Sequence, residues 1–418
     1  MRILWVKANK ILPAHSGGAI RSYHILRQLG SLHELVFFSY YGGYPDPEYE
    51  KELARQFPGS VCICTGKREL NWVSRGLDYL SRLATPIPYA VSRFKSARVQ
   101  EKLNAWFRER RFDVAVCDFL DAAVNFPSRL TIPTFLFQHN VESEIWRRHS
   151  VTQQNPPKRL LYQVEFRKML RYERSIVRKF HHIIAVSEHD RRLMSEWTDP
   201  SRLSVVPTGV DRKQYRPGPS SAPVKPLVLF LGAMDWQPNV DAVEYFCRET
   251  WPSIQVKVPA ARFRIVGRNP VRRVQRLASS SVEVTGSVLS IVDHLRESAV
   301  VVVPLRVGGG TRLKIYEAMA AGKAVVSTSI GAEGLDVHHG QDIVLADDEV
   351  AFAEAVTMLL QDVEFRSRYE RAAAALAAKY DWAAVGDQFG HVLETVVEKA
   401  ARNSSRYAEP AFVAGVHG

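Results

Sequence analysis

No run of about 18 uncharged apolar residues occurs in the 418-residue chain, so no segment is expected to span a bilayer. Near the start, Lys7 and Lys10 fall where the apolar core of a signal peptide would lie, and residues 2–8 read instead as the first strand of a cytoplasmic protein. Cysteine is scarce. Cys62, Cys64, Cys117 and Cys247 sit in apolar surroundings without zinc-type spacing, which points to buried thiols in a reducing compartment and to no metal site. No G-x-G-x-x-G with a following ribose acid comes after the first strand, which argues against a dinucleotide oxidoreductase. Acids are also in deficit, 44 against 56 Lys and Arg, for a net charge of +12. The cations are spread along the chain without a nucleic-acid motif or an aromatic platform. A phosphate-rich small ligand or an anionic bilayer surface accounts for the excess better than nucleic acid does.

What is present begins with size: 418 residues at 46% hydrophobic content allow two full cores. The informative stretch is Ala299 to Val337. Val300 to Pro304 has the β-branched run of a buried parallel strand. Gly308, Gly309 and Gly310 then leave backbone amides uncovered at the positive end of a helix expected to start near Thr311, which can cap it. Arg312 and Lys314 put mobile cations in the first turn, against the macrodipole preference, an arrangement that suits an anionic ligand. Glu317 follows, then a small-residue packing face from Ala318 to Ala321, and Gly322 ends the helix.

This string resembles the donor-binding motif of the retaining glycosyltransferases of family four, in the subgroup reading G-G-G-T-R-L-K-x-x-E, whose members include exopolysaccharide-associated sugar transferases. The resemblance implies an α/β protein of GT-B fold, with two Rossmann-like domains facing across a cleft. It implies that Glu317 hydrogen-bonds the donor ribose and that the glycine-loop backbone, with Thr311, meets the donor sugar and phosphates. Many members carry a second glutamate eight positions earlier, facing the transferred sugar; that place is Gly309 here. Many also carry an arginine and a lysine in the loop corresponding to residues 232–239, and this chain has neither. The charge on the leaving diphosphate must then come from Arg312 and Lys314.

Further segments fit the same reading. A loop from Pro13 to Gly18 leads into a helix predicted over Ala19 to Leu29, so Gly17 and Gly18 mark a strand-to-helix switch, with Arg21 in the first turn. In the family such a glycine pair touches the donor diphosphate from the opposite domain. Thr134 to Phe137 reads as a fourth parallel strand that delivers His139 to its carboxyl end. The resemblance sends His139 toward the transferred sugar and the acceptor, in a positioning and electrostatic role rather than as a nucleophile. Arg268 and Val288 follow two later strands at the edge where relatives hold the nucleobase.

From Glu144 to Phe180 the chain is helical apart from a break at Pro156 and Pro157, and strongly cationic. Tyr162, Phe166, Met169, Ile176 and Phe180 form a core-facing stripe, and the charged face suits anionic lipid heads. Val206 to Asp211 resembles the family segment that ends the first domain. The expected organisation is an acceptor-side domain over 1–209, a nucleotide-sugar domain over 210–382, a crossover helix over 383–400 returning to the first domain, and a flexible tail over 403–418. The implied activity moves a sugar from a nucleotide-diphosphate sugar to a lipid-linked or polysaccharide-precursor acceptor with retention, without a metal or other cofactor. The rival reading is a non-catalytic sugar-nucleotide or polymer-binding module with a decayed site. The expected location is cytoplasmic, peripheral on the inner face of the membrane.

Overall fold

The computed structural model describes residues 1–67, 71–153, 155–218, 225–308 and 312–406. Two β-sheets organise it. The first contains β1 (Arg2–Ala8), β2 (Glu34–Tyr41), β3 (Val61–Cys64), β4 (Val114–Asp118), β5 (Thr134–Gln138), β6 (His182–Ala185) and β7 (Leu203–Val205), in the order β3-β2-β1-β4-β5-β6-β7. The second contains β8 (Leu227–Leu231), β9 (Arg262–Val266), β10 (Val282–Gly286), β11 (Val300–Val303), β12 (Ala324–Ser327) and β13 (Val344–Leu345), in the order β10-β9-β8-β11-β12-β13. Every pair in both sheets is parallel. Parallel strands covered on both faces are apolar throughout, as LVLFL and VVVV show. Each order reverses once, between β1 and β4 and between β8 and β11, and open sheets bind ligands at the carboxyl ends of the strands flanking such a switch.

The predicted elements are present with shifted ends. The VCIC segment is a paired edge strand, which makes Thr134–Gln138 the fifth strand rather than the fourth. Cys62 and Cys64 both pack on one face of the first sheet. Ser16 caps the Gly17–Leu32 helix by accepting from Ala19 N, so Gly17 and Gly18 are its first residues and not part of the preceding loop. The expected break is present: one helix ends at Thr152, and Pro156 and Pro157 open the next, Pro156–Lys179, behind the Asn155 cap, where a missing N–H costs nothing. The final helix, Trp382–Arg406, runs past residue 403, where a tail was expected; 407–418 lie outside the described residues.

That final helix lies on the first sheet. Trp382, Val385, Phe389 and Leu393 share one core with Ile3, Trp5, Phe37 and Phe137, and Phe389 meets Trp5 and Phe137 at ring distances of 5.3 and 5.0 Å. Gln28 Nε2 donates to Asp387 Oδ1 at 2.6 Å. Leu313, from the second half of the chain, enters this same core, so the first half's core extends to the start of the Leu313–Ala320 helix. Phe389→Ala should therefore cost about 3 to 5 kcal/mol of stability in denaturant unfolding. A loss below about 1 kcal/mol would show that the helix is not anchored there.

Candidate active site

At the first sheet's switch point a buried carboxylate gathers three side chains. Asp118, the last residue of β4, accepts from Trp5 Nε1 at 2.8 Å and Lys7 Nζ at 3.0 Å through Oδ2, and from His139 Nε2 at 2.8 Å through Oδ1. Lys7 Nζ also donates to Ser22 Oγ at 3.1 Å. Burial pushes the Asp118 carboxyl up, but Lys7 and His139 outweigh it and hold the group well below the usual carboxylate range.

His139 stands just beyond β5, buried, with Arg21 Nη1 donating to its Nδ1 at 3.2 Å. A guanidinium can only donate, so Nδ1 is the acceptor and the ring proton sits on Nε2, facing Asp118. Burial lowers the imidazole to about 4 against the pull of Asp118, so His139 is neutral at physiological pH with both nitrogens engaged. Arg21 also donates to Thr208 Oγ1 at 3.3 Å. A Cβ at Gly18 would lie 3.0 Å from His139 Nδ1, so only glycine lets the helix start this close to the ring. On the same edge Asp121 and Glu142 are half-buried; burial first and then neighbouring carboxylates raise them to about 6 and about 8. Both can hold or release a proton near neutral pH.

The second switch point collects the cations. Arg312 is the N-cap residue of the Leu313–Ala320 helix and Lys314 its second residue, so the helix begins two residues later than predicted; Gly309, Gly310 and Thr311 lie outside the described residues. Neither cation is mobile. Arg312 is buried, its Cζ 5.4 Å from the Trp236 ring centroid, and any side chain at Gly308 would strike its guanidinium. Lys314 Nζ donates to Asn239 Oδ1 at 3.0 Å and lies 4.3 Å from the Phe230 ring centroid. A Cβ at Gly232 would come within 2.9 Å of that ammonium. Lys314 thus brings charge from the helix after β11 into the residue 232–239 loop, which has no basic residue of its own. Burial, and then Arg312, lower it to about 7.

Glu317 lies one turn along and shares a hydrogen bond with the Tyr215 hydroxyl; burial raises its carboxyl. Arg268 is exposed beyond β9, its carbonyl accepting from Met234 N at 2.8 Å, and Val288 is half-buried beyond β10, both at the carboxyl edge of the sheet. The two switch points meet: a Cβ at Gly17 would lie 3.3 Å from Leu313 Cδ1, so the N-termini of two helices from different sheets abut. The structure therefore brings Gly17, Gly18 and His139 up to the helix that carries Arg312, Lys314 and Glu317. It also brings in Asp118, Lys7, Asn239, Tyr215, Arg148 and Glu333, which have no motif. Among these only Asp118, at a strand end, carried a local signal.

Solved structures with this architecture include Anabaena HepE in complex with UDP and glucose, at a TM-score of 0.66 and 14% identity over 94% of this chain and all of that one. Sucrose-phosphate synthase from Thermosynechococcus elongatus aligns at 0.70 and 16% identity, over 96% of this chain and all of its own. The fold is thus GT-B. Residues 15–214 match the family model described as Glycosyltransferase Family 4 and residues 225–362 the one described as Glycosyl transferases group 1. Among curated relatives, a phosphatidyl-myo-inositol mannosyltransferase of Mycobacterium leprae is 28% identical over 229 residues, 52% of this chain and 60% of that protein. The enzyme of the same description from Mycolicibacterium smegmatis is 27% identical over 75% of this chain and 80% of its own. The chain thus spans about 60% of the first of these relatives.

Lys314 tests the electrostatics. Its folded value near 7 lies below the unfolded 10.5, so between the two the unfolded chain binds the extra proton and stability rises with pH. The burial penalty is full below about pH 7 and gone above about 10.5. Lys314→Met should raise Tm by about 2 to 4 °C at pH 6.5, and the gain should shrink by pH 10. An equal shift at both pH values would show that the ammonium is not buried at a cost.

Proposed function

We propose that the protein transfers a sugar from a nucleoside-diphosphate sugar to a glycan or lipid-linked acceptor, with retention of anomeric configuration and without a metal. The observation that carries this reading is the meeting of two helix N-termini, with Lys314 and Arg312 beside them. Cleaving the bond between an anomeric carbon and a diphosphate builds negative charge on the leaving group, and preorganised positive charge is what that step requires. The Gly17 and Gly18 amides act from one side; Arg312, Lys314 and the glycine-loop residues Gly308, Gly309, Gly310 and Thr311 act from the other. Glu317 takes the donor ribose, exchanging its bond from Tyr215. Arg268 and Val288 border the base. His139, held neutral, orients the sugar or the acceptor.

Similarity to mannosyltransferases of a phosphatidylinositol, and to a structure holding UDP and glucose, supports the substrate class. A lipid-linked acceptor on an anionic membrane is supported by the Pro156–Lys179 helix. Its two acids point inward: Glu173 accepts from Glu142 N and Ser143 N at 2.9 and 3.0 Å, and Glu165 from Tyr79 Oη at 3.1 Å. Arg167, Arg171, Arg174 and Arg178 form the exposed face, and Leu77, Leu80 and Leu160 are exposed nearby. No helix of the described residues is long and apolar enough to cross a membrane.

Incubation with a panel of labelled nucleotide-sugars and lipid-linked acceptors should give a glycosylated product whose anomeric configuration matches the donor. Binding without transfer would favour a decayed module. Lys314→Ala should lower kcat/KM by about 10²- to 10³-fold; unchanged turnover would remove its role. Glu317→Ala should weaken nucleotide binding by about tenfold or more, and wild-type affinity by calorimetry would count against the ribose contact. Co-sedimentation with phosphatidylglycerol vesicles should be salt-sensitive, and its absence would overturn the membrane assignment.

A further inference from the structure

One guanidinium crosses the groove. Arg148, on the Glu142–Thr152 helix of the first half, donates from Nη1 to Glu333 Oε2 at 2.7 Å and from Nη2 to Glu333 Oε1 at 2.8 Å. Glu333 lies in the turn after β12, in the second half. The same Nη1 donates to the Gly308 carbonyl at 2.5 Å, and Nε donates to Glu144 Oε1 at 2.9 Å, which steadies the fork from its own helix. Both side chains of the pair are mostly buried, at 17% and 23% exposure, so this is not a screened surface contact. A second first-half residue, His189, places Nε2 3.6 Å from Glu333 Oε1.

The two acceptors are not equivalent bystanders. Gly308 has φ +143°, a conformation that favours glycine. Glu333 is also the acid whose charge acts most favourably on buried Arg312, while Arg148 acts on it unfavourably. One first-half side chain therefore holds both the Gly308 carbonyl and the counter-charge of buried Arg312. A bidentate arginine fork with a third bond to backbone has a geometry that a lysine cannot reproduce.

We propose that Arg148 is a positioning residue that makes the shape of the donor site depend on closure of the groove. With the halves together, Arg148 fixes the Gly308 carbonyl and Glu333 at once. With the halves apart, both are released in one step, and Glu333 is left to pair with Arg312, which withdraws that cation from the diphosphate. The proposal rests on the donor reading for what Arg312 binds.

Small-angle scattering and calorimetry with UDP and GDP test it on the full-length chain. Arg148→Ala should increase the radius of gyration of the unliganded protein and weaken whichever diphosphate the wild type binds by about tenfold. Arg148→Lys should stay compact, because the charge pair with Glu333 survives, yet bind the diphosphate as weakly as Arg148→Ala, because one ammonium cannot span both acceptors. Unchanged scattering and affinity in Arg148→Ala would overturn the proposal. So would expansion with wild-type affinity, or wild-type affinity in Arg148→Lys. If the wild type bound neither nucleotide, the donor reading would fail, while scattering would still decide whether Arg148 holds the halves together.

Discussion

Two helices that start at the switch points of two separate parallel sheets are held nose to nose, and the rest of the structure serves that placement. Strand order decides where each helix begins, because only at a reversal do neighbouring loops diverge and leave a crevice. The Trp382–Arg406 helix then ties the end of the chain to the first sheet, and Leu313 reaches into the same core. Two positive helix ends brought together are unfavourable without an anion between them. Their juxtaposition is therefore both a constraint on the fold and the feature that suits a diphosphate.

The charges around the groove follow from this. Lys7, Arg21, Arg312 and Lys314 are all withdrawn from bulk water, and burial lowers Arg21 and Arg312 to about 10 and Lys314 to about 7. Each is kept charged by a specific neighbour or tolerated at a cost in stability. Asp118 is the clearest compensator: without it, Lys7 would be an uncompensated buried charge and His139 would lose the acceptor that sets its tautomer. These side chains are thus held in place by contacts within the protein itself.

Much was legible in the chain. Apolar β-branched runs such as VVVV marked strands that must be buried on both faces, and the run from Leu313 to Ala320 marked the helix that follows β11. Less legible were helix starts. Ser16 and Asn155 each begin a helix through one side-chain bond, at Gly17 and Pro156, and a sequence read by periodicity places such ends only within a few residues. The Pro156–Lys179 helix was correctly seen as cationic. That its acids turn inward, Glu173 to the start of the preceding helix and Glu165 to Tyr79, depends on elements folded against it.

By itself the sequence determined the class of fold, the two parallel sheets, and the residue types at the positive end of the Leu313–Ala320 helix, because periodicity and short motifs are local properties of a chain. Only the tertiary structure decided that Lys314 serves the loop holding Asn239, that Asp118 governs the tautomer of His139, and that Arg148 grips Glu333 and Gly308 from the opposite half. These partners lie 75, 21, 185 and 160 residues apart. A hydrogen bond acts over about 3 Å, and no pattern in a linear sequence records which distant side chains folding will bring that close.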